Sequence, residues 1–207
     1  MPIKPLPSNL ISRLRTLAFK SGERKAFSAL GRMKNVDHRK DLPSRVSSTN
    51  PEHTSYWGGR VREMNVSRNY PGVELVIKRT HTGPVKNIRI HLDELYAQCV
   101  KSKPEKYVLQ KPIFYEIHDN LIAMAKVHNP SIAEIIGEAD KKTERGRSFF
   151  EAFKLKHKVT QEQLEHASSE LISHVKYLDG NKTILQNMIV LGFEKGKFVF
   201  MSLPDII

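Results

Sequence analysis

Between Asp41 and Gly59 the chain reads Asp-Leu-Pro-Ser-Arg-Val-Ser-Ser-Thr-Asn-Pro-Glu-His-Thr-Ser-Tyr-Trp-Gly-Gly, a run of turn formers and breakers that suits neither a helix nor a strand. It divides the sequence. Almost every periodic apolar segment follows it, and a strongly basic stretch precedes it. A chain of 207 residues holds one ordinary domain more readily than two. The expected organisation is therefore a basic N-terminal arm and linker over 1–56 and one globular domain over 57–207, with the only tryptophan, Trp57, as a packed anchor at the join.

The charge follows the same division. Residues 1–50 hold eleven lysines and arginines against three acids, so +8 of the formal +12 lies in the first quarter of the chain. A surface built only for solubility mixes both signs, whereas a one-sided basic segment is what a polyanion recruits. Arg13, Arg15, Lys20, Arg24, Lys25, Arg32, Lys34, Arg39 and Lys40 are the candidate nucleic-acid contacts. Residues 1–22 carry no acid, and Leu10, Ile11, Leu14, Leu17 and Ala18 share one helical face. Such a helix suits mitochondrial import, docking on a partner protein, or an anionic membrane surface. A secretory signal does not fit, because charges interrupt the apolar face.

No apolar run nears the roughly 18 residues of a membrane span; the longest, Met188–Phe193, has the length of a strand. One cysteine, Cys99, excludes an internal disulfide framework and a cysteine-based zinc site.

Beyond the linker the patterning predicts an α+β domain. Arg60–Ser67 and Val73–Arg79 read as strands joined by Asn69-Tyr70-Pro71-Gly72. Val85–Leu92 alternates Ile88, Ile90 and Leu92 with Arg89 and His91, which predicts the third strand of an antiparallel meander with Lys78, Arg89 and His91 on a wet basic face. A helical middle follows over Asp93–Lys103, Tyr115–Val127, a segment capped at Asn129-Pro130, Thr143–His157, and a long helix opened by the Thr160–Gln163 capping box and closed by Asp179-Gly180-Asn181. Ile184–Phe193 and Lys197–Met201, joined by Glu194-Lys195-Gly196, form a C-terminal β-hairpin.

The nine histidines show no metal-ligand spacing, and no G-x-S-x-G, Walker or G-x-G-x-x-G motif occurs, so no cofactor and no metal is expected. Lys78 on a strand, Glu94 on the next helix, Asp179, Asn187 before a hairpin and Asp205 stand in the order protein kinases use, where the lysine holds phosphates and the later Asp and Asn hold magnesium. There is no Gly-rich loop, no His-Arg-Asp and no Asp-Phe-Gly, and Asp179 lies eight residues before Asn187 instead of five. His174–Lys182 departs likewise from the His…Gly-Asn loop of nucleotidyl-transferring Fic domains, being one residue longer and lacking the second glycine. A second basic cluster, Lys141, Lys142, Arg145, Arg147, Lys154, Lys156 and Lys158, surrounds Phe149, Phe150 and Phe153; at helical spacing these phenylalanines read as core before they read as a stacking platform.

The leading expectation is a non-enzymatic nucleic-acid-binding protein, RNA favoured and ribonucleoprotein-associated, that uses its basic arm. The alternatives are a degenerate kinase-like phosphotransferase, or an effector acting on a phosphate-bearing ligand through Lys78, and a protein-interaction adaptor using the N-terminal helix. An intracellular site fits each of them.

Overall fold

A computed structural model describes residues 5–21, 37–38, 61–65, 70–79, 84–137, 144–175 and 181–204. The chain is an α+β protein whose elements fall into two compact units, one from Ile3–Asn87 with Ile113–Val127, the other from Ile88–Pro112 with His128–Ile207.

The first unit is a five-stranded antiparallel sheet with a helix on one face. Its strands are β1 (Asp37–His38), β2 (Val61–Asn65), β3 (Glu74–Arg79), β5 (Phe114–His118) and β6 (Leu121–Ala125), in the order β1-β2-β3-β6-β5. Leu75 and Ile77 of β3 alternate with more exposed neighbours, so they, Leu121 and Ala123 present one apolar face. Helix α1 (Ser8–Ser21) covers that face with Leu10, Ile11, Leu14 and Ala18, spaced three and four apart as a helical stripe requires. Leu10 and Leu14 are fully buried. Each such leucine contributes roughly 1.5–3 kcal/mol by leaving water. The basic N-terminal stretch thus supplies a helix that is part of a core, and the face that a docking partner or a membrane surface would use is covered. The 56/57 boundary lies outside the described residues.

Helix α2 (Val85–Lys101) begins in the first unit and continues into the second. The second unit packs its distal end, α3 (Ile132–Ile136), α4 (Glu144–His157), α5 (Gln161–His174) and α6 (Asn181–Asn187) around a three-stranded sheet of β4 (Tyr107–Gln110), β7 (Met188–Glu194) and β8 (Lys197–Ser202). The order is β4-β8-β7, with β4 parallel to β8 and the hairpin β7–β8 antiparallel. Lys195 and Gly196, both at positive φ, turn that hairpin. Phe153, Phe193, Phe198, Phe200 and Tyr107 form a chain of ring contacts with centroids 5.0–6.2 Å apart through its core. Two capping boxes set the helix starts. Ser131 and Glu134 open α3, and Thr160 and Gln163 open α5 with hydrogen bonds of 3.2 and 2.8 Å. The Glu170 carboxylate of α5 accepts from the amides of Glu105 and Lys106 at 2.8 and 2.9 Å, which ties the start of β4 to that helix.

Several elements differ from the sequence-based expectation. Val85–Leu92 is helix, not the third strand of a meander: Val85, Ile88, Leu92, Leu95 and Cys99 are buried at helical spacing, while Ile90, which the strand pattern needs inside, is exposed. Arg89 and His91 accordingly lie on the exposed side of a helix. Tyr115–Val127 is the β5–β6 hairpin turned by Asp119-Asn120, not a helix. The N-cap of α3 is Ser131 instead of Asn129, and α5 stops at His174 with Val175 as its cap. Ile184 and Leu185 belong to α6, so the last hairpin starts at Met188. Strand β4 adds an element that no sequence pattern suggested.

Candidate functional site

Lys78 is the sequence-predicted residue whose environment the structure perturbs most. It occupies an inner position of the sheet, opposite Val61 of β2 on one side and Ile122 of β6 on the other. Alternation along β3 turns it away from Leu75 and Ile77, and so away from the face that α1 covers. It is half-buried, its cross-strand neighbour Ile122 is fully buried, and desolvation pushes its ammonium down to about 7. The charged form is the one that burial penalises. A lysine so placed is close to half-protonated near neutral pH, and an anion brought beside it restores the charge.

Glu94 and Asn187 of the kinase-like series do not stand with Lys78 in the first unit. Glu94 is exposed on α2 in the second unit, with its Oε2 3.6 Å from Nδ1 of His91. Asn187 ends α6 in the second unit and is buried, and its carbonyl accepts from the Leu203 amide at 2.9 Å. Asp179 and Asp205 lie outside the described residues.

Of the arm cations, Arg13 and Arg15 are exposed on α1. Arg15 has a structural partner, since its Nε donates to the Glu116 carbonyl of β5 at 2.9 Å and fastens the helix to the sheet. Lys20 belongs to α1, while Arg24, Lys25, Arg32, Lys34, Arg39 and Lys40 fall outside the described residues. The second basic cluster is divided by function. Arg145 donates to the His128 carbonyl, and Lys154 pairs with Glu151 at 2.8 Å and lies 5.8 Å from the centre of the Phe150 ring. Arg147, Lys156 and Lys158 face solvent, and Lys141 and Lys142 lie outside the described residues. Phe150 and Phe153 are buried and Phe149 packs against the same core, so these rings are not open to bases.

A further cluster escaped the sequence because its members come from a helix, a strand and another helix. The buried Tyr107 hydroxyl lies 3.0 Å from His174 Nδ1, with the Cys99 thiol near enough for the two groups to influence each other's ionisation. Burial pushes the thiol above its ordinary range, and the Tyr107 hydroxyl opposes that in part. Cys99 is thus a protonated core thiol at neutral pH and no activated nucleophile. Among the described residues no three His, Cys, Asp or Glu side chains converge on a metal position, and no helix is long and apolar enough to cross a membrane. Comparison with protein-family models found no match, and comparisons with curated proteins and with solved structures found none either.

Proposed function

We propose that this chain binds a phosphate-bearing ligand of the nucleotide class at Lys78. The observation that carries this is the place of Lys78 on an inner strand of the five-stranded sheet, half-buried, where burial disfavours its charged form. A phosphate supplies the counter-charge, the role a strand lysine has in kinases. The absent Gly-rich loop and the absent His-Arg-Asp and Asp-Phe-Gly motifs make binding without efficient phosphoryl transfer the expected activity.

The test uses the full chain and a fluorescent ATP analogue, titrated by anisotropy with and without magnesium. Lys78→Met keeps most of the aliphatic stem and removes the charge, so it is expected to abolish binding, and Lys78→Arg is expected to retain it in part. Equal affinity in wild type and Lys78→Met would refute the assignment.

A second proposal keeps the basic N-terminal stretch as a nucleic-acid contact, RNA before DNA. It is supported by the +8 of residues 1–50 and the exposure of Arg13. If about six of these cations meet phosphates, affinity for an RNA oligomer falls by about 10³-fold between roughly 50 and 200 mM salt. Neutralising Arg24, Lys25, Arg32 and Lys34 together tests it, and an unchanged salt dependence would remove it.

A further inference from the structure

We infer that the second unit carries a binding groove for a small apolar carboxylate, independent of Lys78. The groove has a volume of about 360 Å³, at the low end of the range of small-molecule sites. Behind its lining lie the buried Cys99 and Tyr107, the latter with its hydroxyl 3.0 Å from His174 Nδ1. Its walls include Val100 and Val108, which are 74% and 48% exposed. Scattered surface aliphatics need no explanation, but two that line one concavity together with Pro104 and Leu109 give it an apolar lining open to solvent.

The rim carries the sign. Among the described residues, Lys103 and Lys197 are the charged ones lining the groove, and none of its lining side chains is a carboxylate. Lys197 donates from Nζ to the Pro104 carbonyl at 2.6 Å, which holds its ammonium beside another lining residue. Lys103, just past the end of α2 at φ 51°, is exposed. An apolar groove lined by two lysines matches a ligand with a hydrocarbon or aryl body and one anionic head, and it disfavours a cationic amphiphile of the same length. The buried Tyr107 and Cys99, both protonated, add no negative charge behind the lining.

Isothermal titration of the full chain with octanoate, octanol and octylamine at pH 7 tests this. Octanoate is expected to bind, octanol more weakly, and octylamine not at all. Val108→Asp and Val100→Asp place a carboxylate on solvent-exposed wall positions where folding tolerates it, and each is expected to remove octanoate binding while circular dichroism stays unchanged. Lys103→Glu is expected to weaken it by about fivefold, the scale of an exposed charge pair. Absence of octanoate binding up to millimolar concentration, octylamine binding equal to octanoate, or full binding in both aspartate variants would each overturn the proposal.

Discussion

Replacing Gly146 with alanine tests how closely α3 and α4 pack. A Cβ at this position would overlap the Glu134 carbonyl oxygen and stand 2.6 Å from its carbon and 3.1 Å from the Ile135 nitrogen. These are backbone atoms of a short helix fixed by the Ser131 capping box at one end and by Gly137 at φ 82° at the other, so they cannot swing aside as a side chain would. Relief requires α3 and α4 to part by more than an ångström, which loosens Ile135 and Phe150 in the same core. Alanine returns about 1 kcal/mol of helix propensity. Overpacking costs about 1–3 kcal/mol, and contact with rigid backbone puts this site at the upper end. The net expectation is a loss of about 2 kcal/mol, read as a lower urea midpoint by circular dichroism. Ser148→Ala, at an exposed position two residues along the same helix, is the control and is expected to be neutral or slightly stabilising. A stabilised Gly146→Ala, the normal result for a glycine at an open helical site, would show that α3 and α4 do not approach this closely.

Other perturbations have directions fixed by the structure. Leu14→Ala, which empties a fully buried position of α1, is expected to cost about 2–5 kcal/mol in denaturant unfolding, whereas Arg13→Ala stays within about 0.5 kcal/mol. Thr160→Ala, which removes the N-cap of α5, is expected to cost about 1 kcal/mol in the same assay. The folded pKa of Lys78, about 7, lies below that of an unfolded lysine, so between these values the unfolded chain binds more protons; its contribution to stability therefore rises with pH above about 7, and Lys78→Met should flatten that slope in unfolding curves at pH 7, 8 and 9. Cys99, the only thiol, is 2% exposed with a raised pKa, so mass spectrometry should show slow alkylation by iodoacetamide in buffer and fast alkylation in urea.

What the sequence revealed follows from how local each signal is. The Thr160–Gln163 box and Lys195-Gly196 act within a few residues, and α5 and the last hairpin form where they point. At Val85–Leu92 the two periods coincide, since Ile88 and Leu92 are four apart and fit a strand face and a helix face alike. Only Ile90 separates the alternatives, and its 45% exposure decides for the helix. In the β5–β6 hairpin Leu121, Ile122, Ala123 and Met124 are all buried, so alternation vanishes and the apolar residues imitate a helical stripe. The informative pair there was Asp119-Asn120, a turn dipeptide between two runs. Strand β4 is four residues long and pairs in parallel with β8, far along the chain, which no local pattern encodes.

The candidate sites divide in the same way, and this gives the two functional proposals opposite signatures. Lys78 is visible in sequence because β3 alternates cleanly, but its lowered pKa depends on what buries it, which is not local. A nucleotide held by that lysine must either find it protonated or supply its proton. Affinity is therefore expected to fall by up to about tenfold from pH 6 to pH 8, as protonated Lys78 declines from the major to the minor form. Lys78→Arg removes that dependence, because a guanidinium stays charged throughout. The arm, with Arg13, Arg24, Arg32 and Arg39 among its cations, behaves in the reverse manner: its guanidiniums hold their charge across the same interval, and its binding responds to salt instead. Titrating the ATP analogue and an RNA oligomer at pH 6, 7 and 8 in fixed salt, and again at fixed pH across salt, places each ligand on one site. RNA binding that falls with pH as the nucleotide does, and vanishes in Lys78→Met, would merge the two sites into one and leave the arm without a role in binding.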